Sequence, residues 1–321
     1  MITLEKATGG TTVIRSTATG VDPTAKTVTM ADGKVIPYDV LVVATGSRNL
    51  SPGEPPVSVT DKKGTSAYYE TMRQALTKTK SVVIVGTGAV GVELAGEIHE
   101  FGQKGVKITL VGRAPQILTE SFKYKEGGIQ RIMDDLHKLG VEVLNGEEVT
   151  SHPMPENVKD ASPLVPTPQG VTLKSGRKID SDLLVFAAGS KINSSFLPVN
   201  WVDQTTHDLI VDTKTLQLKA NKSVFCVGDV AKVESPKRGY FANEDAKVVA
   251  ANVVQVLKGQ EPTHKIQRMA MAIITLGSHG GRMLLPFGTL GPRTTRLVKS
   301  KGLFTKGMWG SFASGVAVPP V

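Results

Sequence analysis

Three glycines at the spacing Gly86-x-Gly88-x-x-Gly91 stand directly behind the apolar run Val82-Val-Ile-Val85. This arrangement suits a pyrophosphate. The first glycine allows a tight turn, the second lets backbone approach a phosphate, and the third lets helix and strand pack closely. A helix starting at this point offers unpaired N–H groups and the positive end of its dipole. The spacing alone is a weak signal. With its strand, a following helix and a second apolar strand over 106–111 at the distance of a βαβ unit, it predicts a dinucleotide site. Where an NAD site places the acid for its ribose 2′-hydroxyl, about 20 residues on, the chain reads Leu110-Val-Gly-Arg113. No acid stands there and Arg113 can meet a 2′-phosphate, which predicts that NADPH is used at least as well as NADH.

A second set of groups lies in Ser223-Val-Phe-Cys-Val-Gly228-Asp229. An aspartate closing a buried strand ahead of a helix accepts a hydrogen bond from a ribityl or ribose hydroxyl, or acts as a plain helix cap; Gly228 leaves room for a ligand. Cys226, the one cysteine, sits inside that apolar strand and reads as a small core residue. It allows neither an internal disulfide nor a Cys-x-x-Cys pair, which excludes dithiol chemistry within the chain.

These groups need a scaffold, and 321 residues are enough for two or three domains with cores of their own. The composition, 40% hydrophobic and 21% charged, is that of a globular protein. No apolar run approaches the roughly 18 residues of a membrane span. Met1-Ile-Thr-Leu-Glu-Lys6 is not a signal peptide, and no glycine at position 2 offers itself for myristoylation. A cytoplasmic protein, not secreted, is expected. Of the net charge of +9, most falls at the end: residues 261–321 hold eight Lys/Arg against the single acid Glu261. Such a segment meets anionic lipid or a phosphorylated cofactor, or is simply a solvated face. No nucleic-acid-binding motif accompanies it.

Along the chain, short strands are expected over 11–17 and 26–30, with an Asp32-Gly33 hairpin turn returning through Val35. A buried strand over 38–47 ends in Ala44-Thr45-Gly46-Ser47, and Pro52, Pro55 and Pro56 mark a domain crossing. Helices are expected over 66–79, over 121–139 with Ser121 as N-cap and Gly140 as its stop, and over 239–257. The proline-rich stretch 152–170 reads as a loop or hairpin arm. A second strand ending in small residues, Asp182-Leu-Leu-Val-Phe-Ala-Ala-Gly189, echoes the first. The last sixty residues read as a separate piece, with strands over 270–276 and 282–287 around Gly280-Gly281.

This order of parts resembles the two-dinucleotide-binding flavoproteins, the superfamily of pyridine nucleotide-disulphide oxidoreductases. Within it the chain is similar to the ferroptosis suppressor proteins, also called apoptosis-inducing-factor-like mitochondrion-associated proteins. The closer match is carried by Ala188-Gly-Ser-Lys-Ile-Asn-Ser195, Val227-Gly-Asp-Val-Ala231 with Ser235-Pro-Lys237, and Thr295-Arg-Leu-Val-Lys-Ser300 with Leu303-Phe304 and Trp309. The resemblance implies an FAD enzyme that oxidises NAD(P)H and reduces a quinone. It implies that Gly86, Gly88 and Gly91 hold the nicotinamide dinucleotide. Thr45, Gly46 and Gly189 would line the flavin side, the Ala18 backbone would meet its adenine end, Gly228 and Asp229 the ribityl chain, and Gly239 and Tyr240 the pyrimidine ring. Glu93, in the first turn of the fingerprint helix where the dipole favours a carboxylate, would stand at the nicotinamide–flavin contact. Lys299 and Phe304 would stand near flavin and quinone, the lysine and Glu93 placing a proton there.

The implied fold class is α/β: two Rossmann-like dinucleotide-binding domains and a small C-terminal α+β region. The FAD domain, 1–57 with 190–262, is discontinuous; 58–189 binds NAD(P), and 263–321 closes the chain. Superfamily members open with a glycine fingerprint for the FAD pyrophosphate, and the forty residues ahead of Ala44-Thr45-Gly46 hold no strand–glycine–helix pattern. The expectation is therefore an N-terminally truncated FAD domain with unpaired strand edges and weak FAD binding. Two other functions fit the same residues: a non-catalytic NAD(P)-binding or interaction protein, and a flavoprotein reductase with a different acceptor. The expected partners are a quinone and, through the basic C-terminal region, the periphery of a membrane. No metal is expected.

Overall fold

The computed structural model describes residues 11–119, 127–234, 237–269 and 271–305. In chain order, β1 (Ala18–Asp22), β2 (Thr27–Met30) and β3 (Val35–Pro37) form an antiparallel sheet. The β2–β3 turn is the expected one: Gly33 takes a left-handed φ of 80° and its N–H donates to the Met30 carbonyl. The β-branched stretch 11–17 forms no strand, because pairing begins only at Ala18 opposite Met30. Next come β4 (Leu41–Val43) and β5 (Ser47–Leu50), then α1 (Lys62–Lys78), which starts four residues ahead of expectation because the Asp61 side chain accepts the Gly64 N–H.

The βαβ unit follows as β6 (Ser81–Val85), α2 (Ala89–Phe101) and β7 (Lys107–Gly112). After it come α3 (Gly128–Lys138), β8 (Glu142–Asn145), β9 (Leu164–Pro166), β10 (Val171–Thr172) and β11 (Lys178–Ile179). The expected strand over 182–189 is split into β12 (Leu183–Phe186) and β13 (Ala188–Ile192). Then β14 (Val224–Cys226) leads to α4 (Gly239–Leu257), and β15 (Ala272–Leu276), β16 (Gly280–Leu285) and β17 (Gly288–Leu290) close the sheets. A short helix, α5 (Pro292–Thr295), runs into one π-helical turn, Arg296–Ser300. Ser121, Ser235 and Trp309 lie outside the described residues.

The chain divides into two compact units. The first comprises Asn49–Gly189 with the segment from Ala270 onward, the second Val13–Arg48 with Ser190–Met269. In the first unit the strand order is β8-β7-β6-β12-β9, parallel except for β9. Both sheet faces are covered, as an all-apolar parallel strand requires. Val82 and Ile84 of β6 face a core with Val92, Ala95 and Ile98 of α2 and Ile132 and Leu136 of α3. Val83, between them, faces the opposite core with Phe186 and Leu184.

Residues 271–305, expected as part of a separate region, pack within the first unit. Ile274 and Leu284 belong to the same core as α2 and α3. Gly96 of α2 is what lets β15 lie against the helix: a Cβ there would stand 2.5 Å from the Leu276 Cα. Arg282 of β16 donates two hydrogen bonds to Asp135 of α3, at 2.6 and 2.9 Å. Gly280-Gly281, expected between two strands, opens β16 itself, and the turn falls at residues 277–279.

In the second unit β4 and β14 pair in parallel as a two-stranded sheet, with Val42 42% exposed. Their apolar residues share a core with Trp201, Leu209 and Val249. α4 covers this core over the span expected from sequence.

Candidate functional site

The dinucleotide turn joins β6 to α2. Gly86 has a φ of 124°, and a Cβ there would stand 2.9 Å from the Ala187 carbonyl carbon and closer still to its oxygen. The Gly86 N–H donates to Val111 O and the Ala187 N–H to Val85 O, so the turn is pinned between the ends of β7 and β12. A Cβ on Gly91 would overlap the Gly86 carbonyl group. Gly88, the helix N-cap, is different: a Cβ there would meet nothing within 4 Å. Two of the three glycines are thus required by packing, and the third leaves open space above the first N–H groups of α2. That is the fit a pyrophosphate needs. Arg113 follows the end of β7 and is exposed.

Glu93 lies one turn into α2 rather than in the first turn, since the helix begins at Ala89 and its first turn holds no acid. The helix dipole therefore does not hold it in place. One carboxylate oxygen, Oε1, instead accepts three hydrogen bonds: from the Thr275 N–H at 2.9 Å, the Thr275 hydroxyl at 3.1 Å, and Lys299 Nζ at 2.6 Å. Lys299 also donates to the Ile273 carbonyl at 3.1 Å. Both side chains are about a quarter exposed, 26% for Glu93 and 21% for Lys299. The geometry thus brings together a carboxylate on the fingerprint helix and an ammonium 206 residues later in sequence. Thr275, which completes the group, is 2% exposed; its position in the apolar run 272–276 gave no sequence signal. Phe304 takes no part in this hydrogen-bonded group. It stands 47% exposed with a left-handed φ of 59°.

One helical turn on, Glu97 is partly buried, with its carboxyl pushed above the ordinary glutamate range. Burial is the main cause, with the negative charges of Glu100 and Glu93 adding to it and Lys299 opposing. It lines a cavity of about 440 Å³ between α1 and α2, together with Leu76, Leu94, Ile98 and Phe101.

In the second unit, Asp229 follows β14, and its carboxylate accepts the Ser47 hydroxyl proton at 2.7 Å. Its carbonyl accepts from Lys237, which also pairs with Asp208. Ser47 directly follows the Ala-Thr-Gly run, and nothing in the sequence marks it as a partner of Asp229. The Thr45 hydroxyl donates to the Asn193 carbonyl at 2.7 Å, while the Asn193 amide donates to Thr45 O at 2.9 Å and its N–H to Gly46 O at 3.0 Å. Thr45 and Gly46 are thereby tied to Asn193. Gly228 lies against α4, a Cβ there standing 3.3 Å from that of Ala242. Gly239 and Tyr240 open α4, the tyrosine 60% exposed. Ala18 begins β1, and Gly189, with a φ of 82°, ends the first unit's middle segment. For a flavin the fit is partial: Asp229 and the α4 N-terminus suit a ribityl chain and a pyrimidine ring. Among the described residues of this unit, the glycines that follow the parallel strands β4 and β14 are Gly46 and Gly228, with left-handed φ of 62° and 73°.

Cys226 is fully buried, and burial pushes its thiol far above the usual range, so it is no nucleophile in the folded chain.

Residues 3–273 match the family model described as pyridine nucleotide-disulphide oxidoreductase. Apoptosis-inducing factor homolog B of Dictyostelium discoideum is 28% identical over 298 residues, covering 86% of this chain and 74% of the relative. Ferroptosis suppressor protein 1 of Homo sapiens is 27% identical over 296 residues, covering 90% and 76%. Among solved structures, an FAD-dependent pyridine nucleotide-disulphide oxidoreductase from Desulfovibrio vulgaris superimposes with a TM-score of 0.58 at 23% identity, covering 85% of this chain and 68% of that one. The two-dinucleotide fold is shared with it.

Proposed function

The chain belongs to the pyridine nucleotide-disulphide oxidoreductase family, and from that premise we propose that it is an FAD-dependent NAD(P)H oxidoreductase delivering electrons to a quinone. The observation that carries this reading is the group in which Thr275 of β15 and Lys299 of the π-helical turn converge on Glu93, on the helix that follows the dinucleotide turn. The bound cofactors supply the hydride and electron chemistry. The chain's own residues bind, orient and manage protons. Gly86, Gly88 and Gly91 receive the nicotinamide dinucleotide's pyrophosphate, and Arg113 meets the 2′-phosphate that NADPH carries and NADH does not. Ala18, Thr45, Gly46, Gly228, Asp229, Gly239 and Tyr240 of the second unit serve the flavin, with Asp229 oriented by Ser47. Lys299 Nζ stands 2.6 Å from Glu93 Oε1, within the hydrogen-bond reach at which the pair can pass a proton toward a reduced acceptor.

Two features favour a quinone over a disulfide. The lone cysteine is buried and its thiol protonated, so no internal dithiol relays electrons. Next to Lys299, moreover, Leu297 (83% exposed), Val298, Leu303 and Phe304 present apolar side chains beside exposed Arg293, Arg296 and Lys301. Apolar and cationic groups interleaved in this way suit contact with an anionic membrane surface, where a lipid quinone resides. Among the described residues no helix is long and apolar enough to cross a membrane.

The test is to purify the chain, record its visible absorbance with and without added FAD, and follow NAD(P)H oxidation with a short-chain quinone. Flavin bands with quinone-dependent turnover are expected. A colourless protein that still binds NAD(P)H favours the non-catalytic nucleotide-binding alternative. Flavin bands with turnover only toward another acceptor overturn the quinone assignment.

A further inference from the structure

We propose that the dinucleotide site selects the 2′-phosphorylated form, and that Thr87 enforces the choice by filling the space that an acidic side chain at position 112 would need. The inference rests on the dinucleotide reading of the Gly86–Gly91 turn. Gly112 is the last residue of β7, the position about 20 residues beyond the fingerprint from which an acid takes the ribose 2′-hydroxyl of NAD. A Cβ at Gly112 would stand 2.9 Å from the Thr87 Cβ, 2.5 Å from its Cγ2, and closer still to its hydroxyl. Contacts so short are not tolerated by real side chains. Because the Thr87 Cβ is itself involved, a rotamer change does not relieve them.

Thr87 has nowhere to go. It is 6% exposed, and its carbonyl accepts the Leu118 N–H at 2.9 Å, which ties the glycine turn to the loop after β7. That loop is held from its other side as well. The Glu147 N–H donates to Gly112 O at 3.1 Å and the Gly146 N–H to Ala114 O at 2.9 Å. Arg113 is thus presented, exposed, from a backbone fixed by three hydrogen bonds. Residues 112–119 include no acid, and the carboxylate of Glu147 turns to the Ser175 N–H at 3.4 Å. Among the described residues, no carboxylate is placed there to accept from a 2′-hydroxyl or to repel a 2′-phosphate. It offers a guanidinium, the group best shaped to bind a phosphate through paired N–H donors.

Calorimetric titration of the whole chain with NADP⁺ and with NAD⁺ tests this without turnover. NADP⁺ binds tighter by roughly 10- to 100-fold, the range of a charge-assisted contact. Arg113→Gln, an exposed change that leaves the fold intact, removes that margin while NAD⁺ binding stays where it was. Gly112→Glu alone weakens NADP⁺ binding without strengthening NAD⁺ binding, whereas Thr87→Gly with Gly112→Glu reverses the preference. Equal affinities in the unaltered chain, or equal losses of both ligands on Arg113→Gln, overturn the 2′-phosphate site while leaving the dinucleotide reading intact. A gain in NAD⁺ affinity from Gly112→Glu alone overturns the role of Thr87. Failure of both dinucleotides to bind overturns the underlying reading instead.

Discussion

Replacing Lys299 with methionine removes the cation from Glu93 and keeps most of the side-chain volume. In the native chain Glu93 Oε1 takes three donors, and Lys299 Nζ has two acceptors, Glu93 at 2.6 Å and the Ile273 carbonyl at 3.1 Å. After Lys299→Met the carboxylate keeps both Thr275 donors, so it is not orphaned. After Glu93→Gln the amide oxygen still accepts from Thr275, but the ammonium loses its counter-charge. The pair is about a quarter exposed, between the surface case, about 0–1 kcal/mol, and the several kcal/mol lost when a fully buried pair is broken. We expect a coupling energy of about 1–2 kcal/mol from the double-mutant cycle Glu93→Gln, Lys299→Met and the double variant, read by urea unfolding. The same variants, assayed for NAD(P)H:quinone turnover, should lose about 10²-fold or more in kcat, the usual range for a positioned proton-transfer group. Coupling within about 0.3 kcal/mol of zero, the scatter of independent sites, would refute the energetic argument. Unchanged kcat in both single variants would refute the proton role.

Two further perturbations separate packing from charge. Gly96→Ala drives a methyl group to 2.5 Å from the Leu276 Cα and 2.8 Å from the Gly277 nitrogen, all backbone neighbours. We expect a net loss of about 1–2 kcal/mol, the overpacking cost less the helix propensity gained, seen as a lower thermal midpoint; an unchanged or higher midpoint refutes the contact. Glu97 has its carboxyl pushed upward by burial and by Glu100 and Glu93, so the folded chain holds its proton more tightly than the unfolded one. Stability from this group is therefore greatest below the ordinary glutamate range and falls as pH rises through that range to the raised value. Glu97→Gln should abolish this part of the slope and stabilise the chain near neutral pH by roughly 0.5–1 kcal/mol, the sum of two like-charge helical pairs. A Glu97→Gln chain that is less stable at neutral pH, with the slope intact, refutes the assignment.

The βαβ unit was readable from residues 81–112 because every local signal in it agrees: a continuous apolar strand, glycines at fixed offsets, and a second strand at the right distance. The helix over 239–257 was equally plain, with Val249, Val253 and Val256 facing one core. Elsewhere local chemistry misled. Val13 and Ile14 have strand propensity, yet a strand needs a paired neighbour, and among the described residues the ladder with β2 starts at Ala18 opposite Met30. β17 went unseen because Gly288–Leu290 is short and follows Pro286 closely; it exists by pairing with Met283–Leu285. The partners of the site residues were the least visible. Glu93 and Lys299 entered through resemblance, and nothing in their own neighbourhoods shows that β15 sets Thr275 between them. Ser47 and Thr87 were invisible for the same reason: each acts through a contact that exists only after folding.

The glycines show why sequence spacing and structural role can part company. Read along the chain, Gly86, Gly88 and Gly91 are one motif and Gly96 and Gly112 are incidental. In the folded unit Gly86, Gly91, Gly96 and Gly112 form one class, because each would drive a Cβ into the backbone or side chain of another element: the β12 end, the Gly86 carbonyl, β15 and Thr87. Of these five, Gly88 alone opens onto free space. The residues that shape the site are therefore mostly those that let strands and helices come together around it, while the position where a ligand's phosphate is received is the one of the five with no neighbour. An alanine at Gly88 should therefore leave stability almost untouched and weaken dinucleotide binding. An alanine at Gly91, which would overlap the Gly86 carbonyl, should weaken both, and the contrast in thermal midpoint and calorimetric affinity between those two substitutions separates receiving the ligand from building the turn.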